Sequence, residues 1–156
     1  MLDIQCQRHW TIVATIPNDG SGNGSITDMV SYFLVGLGSA LGGMGRYWCS
    51  GVIIRNFGSF FPWGTIIVNV TGSLLLGFIA TSLTGDGRML APPDARAFLM
   101  IGFCGGYTTF SSFSVETFSL MRDGEWAWAV TNVVLSVVLC LVAVWLGHVG
   151  ASALNR

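Results

Sequence analysis

Apolar residues fill four long stretches of this chain, and charged residues are confined almost wholly to the gaps between them. Between Asp28 and Arg55 the only charge is Arg46. None occurs from Asn56 to Gly85, from Ala97 to Val115, or from Trp126 to Asn155. A helix needs ~20 residues to cross a ~30 Å hydrocarbon core, and each stretch is close to or above that length. Backbone polar groups in lipid must be satisfied within the segment, which leaves helices as the spanning form. The pattern predicts helices at about 30–51, 62–84, 96–121 and 126–148. Helix breakers occupy the intervals: Asn56 to Pro62, Leu83 to Asp94 with Pro92 and Pro93, and the turn Arg122-Asp123-Gly124.

The expected fold class is all-α and integral to the membrane, with four transmembrane helices in a single domain at 29–150. Residues 1–28, with Asp3, Arg8, Pro17, Asp19 and a GSGNGS run, lack the apolar core of a secretory signal. They read as a disordered or accessory extension, with Met29 a second candidate start, and 151–156 form a tail. Composition agrees with a membrane chain. Of 156 residues 52% are hydrophobic and 10% charged, and the mean hydropathy is +0.65. Soluble domains carry roughly 25% charged residues; four helices of a water-soluble core need polar outer faces that this chain cannot supply. A net charge of −1 excludes the basic footprint of a nucleic-acid binder. Cys6, Cys49, Cys104 and Cys140 have no metal-ligand or redox spacing. No nucleophile and base stand at catalytic spacing, and neither His9 nor His148 has an evident partner, so the chain does not read as an enzyme.

Charge also bears on orientation. The chain has no lysine and seven arginines. Arg8, Arg88, Arg96 and Arg156 fall on one side of the four-helix arrangement, and Arg55, Arg122 and Arg46 toward the other. Without Arg8 the two sides balance, and the positive-inside rule gives no decision. A weak bias and insertion in both directions are equally compatible with this count.

Candidate chemistry concentrates in helix three, at Gly102-Phe103-Cys104-Gly105-Gly106-Tyr107-Thr108-Thr109-Phe110-Ser111-Ser112-Phe113-Ser114-Val115-Glu116. Two glycines followed by poor helix formers near mid-span point to an interruption. Irregular backbone at that depth survives when buried in protein or lining a polar cavity, where freed carbonyls build ion sites. The competing reading is a continuous helix whose glycines only pack. Phe110 and Phe113 share one helix face, with Ser112 and Glu116 adjoining it. Glu116 is either interfacial or part of a permeation path. Helix two carries Thr65, Asn69 and Ser73 at four-residue steps, and helix four Asn132, Ser136 and Cys140. Lone hydroxyls usually bond back to their own helix, but a buried amide such as Asn69 needs partners for two donors and an acceptor. Arg46, near the end of helix one, is better suited to a vestibule than to lipid. Gly38 and Gly42 form a small-xxx-small pair for close helix approach.

Three of these segments in order, Gly42-Gly43-Met44-Gly45-Arg46-Tyr47, Gly64-Thr65-Ile66-Ile67-Val68-Asn69-Val70-Thr71-Gly72-Ser73 and the helix-three motif, resemble the Fluc (CrcB) family of fluoride channels. The likeness spans roughly residues 29–150. Residues 1–28 and Asn132, where the family often has tyrosine, depart from the pattern. The resemblance implies an antiparallel dual-topology homodimer in a bacterial inner membrane, with a broken third helix and two fluoride pores. It implies a structural sodium ion on the twofold axis, held by the backbone carbonyls of Gly105 and Thr108 from both subunits. Phe110, Phe113 and Asn69 would line the pores, with Ser112, Glu116 and Ser136 as further polar positions and Arg46 as the family's arginine. Alternatives are a small multidrug/proton antiporter, also four-helix and dual-topology, and a non-transporting membrane scaffold.

Overall fold

A computed structural model of the protein describes residues 26–85, 88–89 and 91–154. Most of the 1–28 extension, including Arg8, and Arg156 at the other end, lie outside the described residues. Among the described residues six helices carry the fold: α1 (Ile26–Phe57), α2 (Trp63–Ser82), α3 (Pro93–Arg96), α4 (Gly105–Tyr107), α5 (Phe110–Arg122) and α6 (Trp126–Leu154). Wide π-helical turns, Ala97–Cys104, join α3 to α4. Between α2 and α3 the chain forms a minimal antiparallel pairing of β1 (Thr84–Gly85) with β2 (Arg88–Met89), Thr84 opposite Met89. The breakers predict an irregular loop from Leu83 to Asp94, and this short pairing lies within it.

Among the described residues three helical stretches are long and apolar enough to cross a membrane: Trp63–Ser82, Pro93–Arg122 and Trp126–Leu154. The protein is thus a multi-pass membrane protein of helical build. α1, at 32 residues, is long enough, at about 48 Å, but it is not among the three. Six glycines and Arg46 lower its hydropathy, because α1 is built for contact with other helices as much as with lipid.

That contact is backbone against backbone. α1 packs chiefly on the Ala97–Tyr107 segment and α2 on α6. A methyl group at Gly106 would lie 2.6 Å from the Ser39 carbonyl, and one at Gly42 would collide with the Phe103 carbonyl. In the second pair, Gly77 meets the Val144 carbonyl and Gly147 the Leu74 carbonyl just as closely. Small residues at such crossings replace the hydrophobic drive that lipid removes. Ala129, Ala143 and Ala151 are buried along α6 by the same logic, while Val134, Val138, Leu141 and Trp145 are exposed, as suits a surface facing hydrocarbon.

At one end of the bundle Phe61 is buried against Trp63 and Trp128, ring centroids 4.9 and 5.3 Å away. At the other end Ser31 donates to Asp94 Oδ1 at 2.6 Å, fastening α1 to α3, and the Thr81 hydroxyl pairs with His148 Nδ1 at 2.9 Å. α2 and α6 therefore run parallel to each other, and α1 and the Pro93–Arg122 stretch run antiparallel to both.

The glycine pair is not where the chain leaves the helix. Gly105 and Gly106 are helical, and the extended residues are Thr108 (φ −78°, ψ 159°) and Thr109 (φ −151°, ψ 113°). Gly106 serves the α1 contact at Ser39, and β-branched threonines, which suit extended backbone, take the non-helical positions.

Candidate functional site

Two extended residues inside an apolar stretch release backbone groups, and the neighbouring side chains take them up. Asn69 on α2 does most of this: its Oδ1 accepts from the Thr109 N–H at 2.8 Å, and its Nδ2 donates to the Thr109 carbonyl at 3.0 Å. The amide behaves as a missing strand partner for one residue. Its second N–H has no partner among the described residues. Thr109 caps α5 in turn, its Oγ1 accepting from the Ser112 N–H at 3.1 Å, with the Ser111 and Ser112 hydroxyls also at 3.1 Å.

These caps have a consequence for two carbonyls. In a continuous helix the Gly105 carbonyl would accept from the Thr109 N–H and the Thr108 carbonyl from the Ser112 N–H. Asn69 diverts the first donor and Thr109 Oγ1 the second. Arg46 reaches the Thr108 carbonyl from α1, Nη1 to O 3.3 Å, a long hydrogen bond that leaves the second lone pair available. Among the described residues no three His, Cys, Asp or Glu side chains converge. A cation at this place would rely on backbone oxygens, which hard cations such as sodium accept from unwound helices.

Beyond the interruption Phe110 and Phe113 stand 5.3 Å apart, planes tilted by 44°. Phe110 is 77% exposed in the single chain; Phe113 is half-buried. One turn on, Glu116 Oε1 accepts from the Thr65 hydroxyl at 2.8 Å, and Oε2 is buried with no partner among the described residues. Ser136 stands apart from this row, in a second network. Its hydroxyl donates to Asn132 Oδ1 at 3.4 Å, Asn132 Nδ2 donates to Thr117 Oγ1 at 2.8 Å, and Thr117 donates to the Phe113 carbonyl at 2.7 Å.

The structure thus brings Arg46, Asn69, Thr108 and Ser112 around the interruption, places Glu116 farther along α5, and ties Ser136 to α5 through Asn132. Three residues acquire contacts that sequence reasoning did not assign: Thr109 as cap, Thr65 as the partner of Glu116, and Thr117 as the bridge to α6. The signal for Thr65 was present, since it stands four residues before Asn69 on one face of α2. No pattern in the sequence pairs Thr117 with Asn132.

Residues 33–148 match the family model described as CrcB-like protein, Camphor Resistance (CrcB). The chain belongs to the CrcB family. It is similar to the protein of Rhodospirillum rubrum named fluoride-specific ion channel FluC, 53% identical over 127 residues, 81% of this chain and 98% of that one. Proteins of the same name from Paramagnetospirillum magneticum (54% over 128 residues, 82% of this chain and 100% of the relative) and Opitutus terrae (54% over 127 residues, 81% and 96%) are comparable. The CrcB match runs from within α1 to within α6 and so contains Arg46, Asn69, the interruption and the Phe110–Phe113 pair.

Proposed function

We propose that this CrcB protein is a fluoride-specific channel subunit that lets cytoplasmic fluoride leave the cell and so limits its toxicity. The observation that carries this reading is the Thr108–Thr109 interruption, clamped by Asn69 and followed by the Phe110–Phe113 pair, in a chain about half identical to relatives named for that activity. Fluoride enters cells from acidic medium as neutral HF, dissociates, and accumulates as the anion. A passive pore returns it down its electrochemical gradient without an enzyme.

A small, strongly hydrated anion needs donors in place of its water. The second N–H of Asn69 and the hydroxyl of Ser112 are of that kind, and the Ser136 hydroxyl joins them where it turns from its long 3.4 Å bond to Asn132. Aromatic rings present a positive edge, which suits Phe110 and Phe113 for contact with an anion on an apolar path. Glu116, hydrogen-bonded to Thr65, and Arg46, on the Thr108 carbonyl, are the remaining polar groups along the route. Fluoride, the lipid bilayer and a second copy of the chain are the partners in this reading.

The assembly is an antiparallel dual-topology homodimer in the bacterial inner membrane, with α1 as a fourth span, a third span broken at Thr108–Thr109 and two pores. The near-even division of arginines is compatible with insertion both ways. Its relatives named above come from bacteria. The Gly105 and Thr108 carbonyls of both subunits would hold a sodium ion on the twofold axis, and the diverted N–H donors make both oxygens suitable. A bound sodium supplies fixed positive charge in a low dielectric. The antiporter alternative wants a carboxylate deep in α1, which has none between Met29 and Phe57. Purified protein in liposomes loaded with fluoride or chloride provides the test. Fluoride efflux with little chloride efflux is expected; no fluoride efflux, or equal passage of both anions, overturns the proposal.

A further inference from the structure

α5 is held loosely by its own chain. Of its thirteen residues only Thr117 and Leu120 are buried, so apolar packing does little to set its orientation. Polar ties take that role, and on the α6 side the tie is Asn132. This amide is 1% exposed, Thr117 and Ser136 are buried beside it, and the three make one continuous chain of hydrogen bonds that ends on the Phe113 carbonyl.

We propose that Asn132 is a positioning residue for the anion path, holding the Phe113 turn of α5 against α6 through Thr117. The inference rests on the channel reading and extends it to a residue outside the candidate row. Thr117 lies one turn from Phe113 on the same face and accepts from Asn132 while donating to the Phe113 carbonyl. A threonine bonded back to its own helix tends to bend it locally, and Asn132 fixes which way the hydroxyl faces. Loss of the amide frees the turn that presents the Phe113 ring. It also releases the Ser136 hydroxyl, whose bond to Asn132 Oδ1 is long at 3.4 Å.

Asn132→Leu removes the amide at similar size, Thr117→Val removes the bridge with little change in shape, and the double variant closes a cycle. All are compared with the parent as full-length dimers in liposomes, reading fluoride efflux against fluoride concentration. Each single variant should lower efflux roughly tenfold, the equivalent of one buried hydrogen bond, raise the concentration for half-maximal flux, and leave the dimer intact. The double variant should be no worse than either single, because both changes cut the same tie. Independent, multiplicative losses, or parent-like flux in both singles, would overturn the proposal. Fluorophenylalanine at position 113 gives a readout free of transport: its fluorine resonance should shift in both variants, and an unmoved resonance overturns the positioning role. Should the parent itself carry no fluoride, the channel reading falls, and this resonance still decides the role of Asn132.

Discussion

Replacing Asn69 tests the clamp on the interrupted span most directly. The side chain makes two short hydrogen bonds to one residue, 2.8 and 3.0 Å. Each is worth about 1 kcal/mol net, and each leaves a backbone group unsatisfied when removed, at about 1–3 kcal/mol where burial is complete. Asn69 is only half-buried, so water relieves part of that penalty. Asn69→Leu should then destabilise the protein by about 2 kcal/mol, a fall in midpoint of about 4–8 °C for a chain of this size. Asn69→Asp differs in kind. It keeps the acceptor for the Thr109 N–H but turns an oxygen toward the Thr109 carbonyl and sets a carboxylate in an anion's path. It should lose less stability than Asn69→Leu and at least as much fluoride flux. Thermal unfolding in detergent and fluoride efflux from liposomes, measured on the same preparations, separate the two quantities. Parent-like melting and efflux in Asn69→Leu would show that Thr109 needs no partner and would refute the clamp.

Three further outcomes are expected. Phe110→Ile and Phe113→Ile should sharply reduce fluoride efflux while the dimer elutes normally in gel filtration, because apolar swaps of this size usually cost less than ~1.5 kcal/mol and Phe110 is largely exposed; two dimeric variants that conduct like the parent would show that the rings only pack. Gly42→Ala should destabilise by about 1–3 kcal/mol through overpacking against the Phe103 backbone, whereas Gly36→Ala, with open space at its Cβ, should be neutral or slightly stabilising in the same thermal assay. In a cysteine-free background, Arg122→Cys, at an exposed turn position, should react with impermeant reagent from both sides of the membrane, and one-sided labelling would contradict dual topology.

Sequence alone established the long apolar stretches, the loops between them and the segments that carry the family motif, because membrane insertion depends on the local sum of hydropathy and the placement of breakers. It also located Phe110 and Phe113 on one face and singled out Asn69 as an amide in need of partners, since helical spacing is a local property. The place of the interruption was not legible in the same way. Glycine is a poor helix former in isolation, so Gly105 and Gly106 drew the prediction, yet they remain helical because α1 presses its backbone against Gly106. Thr109 holds an extended conformation because Asn69, forty residues away in sequence, supplies what its helix would have supplied, and the Thr108 carbonyl is met by Arg46 from α1. The same holds for Glu116 with Thr65 and for Asn132 with Thr117: each residue shows its chemistry in the sequence, but its partner is chosen by which helix faces meet. Hydropathy is read along one chain segment at a time, whereas hydrogen-bond satisfaction inside a membrane is settled between segments, and only the packed structure decides it.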